Sequence, residues 1–147
     1  MNKNEYAPYF ETYISYSKNM IIPDDFSTQM ESCMAFFESV PVAKLDCERI
    51  FQYRALRISR SDKTPLPGFE ENDYAVEANA TSRTLESLLN EYKSVRKATF
   101  TLFETFSEEQ LLKMGNASGK DISVRAIGYI ILGHELHHIK IIKERYL

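Results

Sequence analysis

Tryptophan is absent from this chain, and cysteine is scarce. The two cysteines, Cys33 and Cys47, do not show the spacing of a metal knuckle or a disulfide framework. That excludes a disulfide-stapled fold and points to free thiols in a reducing compartment, with Cys33 on an apolar helical face. A basic excess is missing too: the net charge is −3, so no nucleic-acid partner is expected. The local run Arg54, Arg57, Arg60 and Lys63 reads as helix surface with ion-pair partners. No window of about 18 apolar residues occurs, and the opening Met1–Tyr6 has no apolar signal core. The expectation is a cytoplasmic protein without a membrane partner. Strand-like alternation is also lacking. What remains is a chain of 147 residues, 44% hydrophobic, enough for one domain over 1–147 with a core of its own.

Periodicity fills that chain with helices. Residues 1–23 are rich in tyrosine (Tyr6, Tyr9, Tyr13, Tyr16) and punctuated by Pro8 and Pro23, which predicts an irregular lead-in with a turn or two of helix. Asp24 or Asp25 is a suitable N-cap for an amphipathic helix through Phe26, Met30, Cys33, Met34 and Phe37 that ends near Ser39, before Pro41. A second helix is expected from about Leu45 to Arg60. The stretch from Ser61 to Gly68, with Pro65 and Pro67, is a loop that should continue to Tyr74. Leu85, Leu88, Tyr92, Val95, Thr99, Leu102 and Phe106 mark a long third helix from about Thr81. Ser107 with Gln110 forms a capping-box pattern for a short helix, and Gly115 and Gly119 mark the connection that follows. Four helices without strands predict an all-α four-helix bundle with an irregular tyrosine-rich N-terminal lead-in.

The last helix carries all three histidines within five residues. Ile127, Ile130, Ile131, Ile141 and Ile142 recur at three- and four-residue spacing, and at about 100° per residue His134 and His138 fall roughly 40° apart inside that stripe. His137 lies roughly 60° to the other side of His134, at the border of the stripe. Two imidazoles one turn apart on an inward face suit a transition metal. A hydrogen-bonded pair of core histidines has the same spacing, and both readings stay open. His134-Glu135-Leu136-His137-His138 also satisfies the zinc-peptidase pattern H-E-x-x-H, with Glu135 as base. The downstream context fails, because Ile141 and Glu144 stand where a third-ligand extension needs glycine and histidine. A metallopeptidase is therefore the distant reading.

Longer blocks carry a resemblance. CERIFQYRALRISR (Cys47 to Arg60), DKTPLPGFEENDY (Asp62 to Tyr74) and SVRAIGYIILGHELHH (Ser123 to His138) together resemble the DinB-like superfamily, the DNA-damage-inducible group that includes bacillithiol-transferase-type proteins. The opening Glu5 to Ile14 is similar to the lead-in of one branch. The resemblance implies a four-helix bundle, frequently a homodimer, holding a divalent metal on three histidines. Two of these match His134 and His138. The third belongs to an H-x-x-D-x-E-R pattern, which here begins with Ala43 and continues through Asp46, Glu48 and Arg49, so the histidine is missing. Either a stretch before helix two has been lost, or Ala43 replaces the ligand in a shortened helix.

Replacement ligands are to be sought nearby. Asp46, one turn beyond the missing position, ranks first as a carboxylate for zinc, nickel or manganese. Cys47 and Glu48 rank behind it, their directions differing from that of Asp46 by roughly 100° and 200°. Asp46 and Glu48 equally suit a helix N-terminus or an ion pair. Glu135 is a candidate base or neighbour of the ligands, His137 a donor to them or a packing residue, and Arg54, with Arg57, a binder of an anionic substrate group. The resemblance implies a metal-dependent enzyme of thiol-transferase or hydrolase type, acting on a small-molecule thiol or another small substrate, with an incomplete metal site. The alternative is a non-catalytic dimerising or binding module that has lost its metal.

Overall fold

The structure, a computed structural model, describes residues 1–37 and 45–146. Ser39, Pro41 and Ala43, on which the end of the first long helix and the missing ligand turn, lie outside the described residues. Helix dominates, and no helix among the described residues is long and apolar enough to cross a membrane.

The lead-in folds as two short 3-10 turns, Lys3–Glu5 and Pro8–Phe10, followed by helix α1 (Glu11–Ser17). Phe10 and Ile14 are buried, and α1 lies against the last helix, where Ser17 Oγ donates to the Tyr129 carbonyl at 2.7 Å. Helix α2 (Asp24–Phe37) starts with two acidic residues in its first turn, which suits the positive end of the helix dipole. It buries Phe26 and Cys33. Helix α3 (Leu45–Ser59) buries Cys47, Phe51, Arg54, Ala55 and Ile58 at the three- and four-residue spacing of one helical face. Helix α5 (Leu85–Glu104) is capped by Thr84, whose side chain accepts from Ser87 N–H. Its buried face, Leu88, Tyr92, Val95, Arg96, Thr99 and Phe103, packs on α2 and α3. Leu85, the first residue of the apolar run that marks this helix, is exposed at the helix entry. The capping box at Ser107 and Gln110 forms as expected and opens α6 (Glu108–Leu111). Helix α7 (Val124–Tyr146) buries Val124, Ala126, Ile127, Ile130, Ile131 and Leu132, and packs on α1 and α3.

Two expectations are corrected. Helix resumes at Glu71, inside the stretch expected to be loop to Tyr74: α4 spans Glu71–Glu77, with Glu71 and Asp73 in its first turn. The connection before α7 is a strand hairpin, β1 (Met114–Ala117) against β2 (Lys120–Ser123), with Met114 opposite Ser123 and Ala117 opposite Lys120. Its two turn residues, Ser118 and Gly119, both take positive φ (55° and 72°), as a tight mirror-image hairpin turn requires. The proline-rich loop is stitched to this hairpin: Leu66 N–H donates to the Asn116 carbonyl and Ser118 N–H donates to the Leu66 carbonyl, each at 3.0 Å. Ser118 and Glu71 are thereby held on the same side of α3.

Candidate metal centre

Where α3, α4 and α7 meet, three donor groups converge and a fourth stands beside them. His134, from the middle of α7, is 7% exposed, and its Nε2 stands 3.2 Å from Nε2 of His138 one turn on. Oε1 of Glu71, from the first turn of α4, approaches these two nitrogens at 3.6 and 3.8 Å. The thiol of Cys47, in the first turn of α3, completes a group with Glu71 and His134 whose ligand atoms all lie within 4.8 Å of one another. Tyr13 packs edge-on to the His134 ring at 5.1 Å and Phe51 stands at 6.4 Å, so aromatic walls fix the ring.

The donor chemistry fits a divalent ion. Two imidazole nitrogens each about 2.0–2.1 Å from one ion stand about 2.9–3.4 Å apart for angles between square and tetrahedral. The observed pair lies inside that window. A thiolate, a carboxylate oxygen and two imidazoles form a mixed N/O/S set of the kind that holds zinc, with the thiolate disfavouring manganese.

Of the residues singled out from sequence, the structure unites His134 and His138 and adds Cys47. Asp46, ranked first as the replacement ligand, is half-buried and outside this group. The reason is angular. Asp46 and Cys47 are neighbours and point about 100° apart on a helix, so with Cys47 turned to His134 the carboxylate of Asp46 faces elsewhere. Glu71 was missed altogether because it fell in the expected loop. A signal existed, since the acidic run after Gly68 is what a helix start favours.

Glu48 and Glu135 belong to a second polar cluster. Both accept from Nη2 of Arg96, at 2.9 and 3.1 Å, and Thr99 Oγ1 donates to Glu48 at 2.7 Å. Burial would weaken the charge on Arg96, but the two carboxylates outweigh it and raise its pKa. For Glu135 burial prevails over Arg96 and the Tyr92 hydroxyl, so its carboxyl is held above the usual carboxylate range. Burial likewise pushes the Cys33 thiol up to about 12. Glu135 is thus committed to Arg96 and is not poised as a peptidase base. His137 packs between Tyr13 and Tyr16, at 5.5 and 5.9 Å between ring centres. Arg57 is bonded to Asp62 and Tyr53.

Arg54, by contrast, lies beside the donors. It lines a cavity of 540 Å³ together with Cys47, His134, Glu71, Phe51 and Phe69. Its Nη2 donates to the Pro67 carbonyl at 2.8 Å and to Ser118 Oγ at 2.9 Å, and burial lowers its pKa from the ordinary arginine value.

No curated protein and no solved structure matches this chain. The model of the DinB superfamily matches residues 34–142, most of the length and all of the elements that carry the four donors, and the chain belongs to that superfamily.

Proposed function

We propose that this protein is a divalent-metal-dependent DinB-type enzyme of transferase or hydrolase class, with His134, His138, Glu71 and Cys47 as the ligand set. In this reading α2, α3, α5 and α7 are the family's four-helix bundle. Cys47 supplies the donor that the family takes from the helix-two histidine, and Glu71 closes the site from α4. The observation that carries the reading is the convergence of a thiol, a carboxylate and an imidazole from three elements within 4.8 Å, with Nε2 of His138 3.2 Å from that of His134. An ion bound there would offer an open position once Glu71, the donor with the longer approach, yields to a thiol or water, and its Lewis acidity would lower the pKa of that group, the activation that thiol transfer and hydrolysis share.

The chain's own residues do the rest. Tyr13 and Phe51 shield the His134 ring and keep water from the inner wall. Arg96 draws Glu135, the residue next to His134, onto α5 and so fixes the rotation of α7 at the ligands. The cavity beyond leaves room for a small substrate.

The test is elemental analysis of protein purified under reducing conditions without chelator. Near-stoichiometric zinc or another divalent ion is expected, abolished in His134→Ala and sharply reduced in Cys47→Ala and Glu71→Ala, with Asp46→Ala unchanged. A metal-free protein that takes up no zinc on titration would instead identify a bundle that has lost its site.

A further inference from the structure

Arg54 is 4% exposed, yet among the described residues no carboxylate lies within ion-pair reach of it. That is unusual for a side chain that stays charged at every accessible pH. The contrast lies within the same molecule: buried Arg96 has two carboxylates, and half-exposed Arg125 has Glu5. Arg54 is also firmly oriented. Phe51 and Phe69 stand at 5.6 and 5.5 Å from its guanidinium carbon, and both of its hydrogen bonds leave from Nη2. Nε and Nη1 donate to nothing among the described residues and are not sealed from solvent, as buried unsatisfied atoms would be. A fixed fork with donors to spare lines the cavity that holds Cys47 and His134.

We propose that this cavity binds a small carboxylate-bearing substrate, with one carboxylate oxygen accepting from a spare donor of Arg54, Nε or Nη1, and the reacting group directed to Cys47 and the histidine pair. The reacting end rests on the metal-enzyme reading above, while the carboxylate end stands on Arg54 alone. With both Nη2 hydrogens given to Pro67 and Ser118, the contact is a single charge-assisted hydrogen bond from the guanidinium to the carboxylate. Arg54 and Cys47 lie seven residues apart on one face of α3, roughly 10.5 Å along the axis. That spacing suits a ligand with several atoms between its carboxylate and its reacting group. Phe51 lies between them on the same face, so the middle of the ligand is apolar or aromatic. Lys120, whose ammonium sits 4.9 Å from the Tyr9 ring, adds a second positive group to the lining. Glu70 and Glu71 also line the cavity and disfavour a doubly charged phosphate.

The probe is 3-phenylpropionate, compared with its neutral amide and with phenyl phosphate, titrated calorimetrically into protein with and without zinc. Binding of the carboxylate about tenfold or more tighter than the amide, lost by a similar factor in Arg54→Met, is the expected result. The wild-type comparison of acid with amide decides the matter even if Arg54→Met folds poorly. Equal binding of acid and amide, no binding of either, or tighter binding of phenyl phosphate overturns the proposal. Arg54-dependent carboxylate binding by a protein that never takes up metal would uphold it while refuting the metal-enzyme reading. Metal uptake without discrimination between acid and amide would do the reverse.

Discussion

Arg96 shows how much a single interior residue carries. Its side chain is fully buried, held over Phe26 and Tyr92 at 5.6 Å each, and it joins Glu48 of α3 to Glu135 of α7 through one nitrogen. Removing one partner of such a network leaves the others charged and desolvated, which costs far more than the intact network contributes. Arg96→Met is therefore expected to destabilise the fold by roughly 3–5 kcal/mol, and Glu135→Gln by less because Glu48 keeps its partner. Urea denaturation measures both, and an Arg96→Met variant within experimental error of wild type would remove the network from the account. None of this was readable from sequence. Glu48 and Glu135 pass there for helix-terminal or surface carboxylates, and Arg96 lies one position beside the apolar stripe that marks α5. A buried charge declares itself only through partners on other helices. Cys47 was readable in part: a thiol suits a metal, but its direction, about 100° from that of Asp46, does not by itself say which of the two faces the histidines.

Between elements, the tightest approach is α1 on α7. A Cβ on Gly133 would fall 1.8 Å from the Tyr13 carbonyl oxygen, a backbone atom that cannot swing aside. Gly133→Ala should push α1 off α7, lose the Ser17 to Tyr129 hydrogen bond and withdraw Tyr13 from His134. The expected cost is about 1–3 kcal/mol, with faster amide hydrogen exchange across residues 11–17. Gly128→Ala meets only the side chains of Ile22 and Phe103, at 2.6 and 2.9 Å, and should cost less. If the two variants exchange alike, the close approach is not what seats α1. The long helices α3, α5 and α7 were legible because each repeats its apolar face over several turns. Helix α4, at seven residues, and the strands, at four each, are too short for periodicity to register. Gly115 and Gly119 mark a connection there but not its strands, and Ser118, with its positive φ, gives little warning of the turn. The half of the candidate site on α7 was thus visible in the sequence, and the Glu71 part was hidden by its short helix.

At the scale of the whole molecule, the fold is closed by a clamp between residues 120 positions apart. Glu5 accepts from Arg125 Nη2 at 2.7 Å and Nε at 3.0 Å, and from Ser123 Oγ at 3.1 Å, which ties the lead-in to the start of α7. The same lead-in supplies Phe10 and Tyr13 to the cavity wall, so the clamp also sets how firmly that wall is held. Burial alone would raise the Glu5 carboxyl, but Arg125, the Asn2 N–H and Ser123 together outweigh it and hold the pKa below 4.5. A carboxyl depressed in the folded state adds stability that is fully present above its unfolded pKa, and that stability drains away as the pH falls through the folded value. Glu5→Gln should therefore cost about 1–2 kcal/mol at neutral pH, after allowance for the partly exposed Arg125. The gap to wild type should close as the pH drops below 4.5. Urea melts of both proteins across that range read the difference directly. A gap that persists unchanged in acid would assign the attachment of the lead-in to the packing of Phe10 and Ile14, and the cavity wall would then stand without the ion pair.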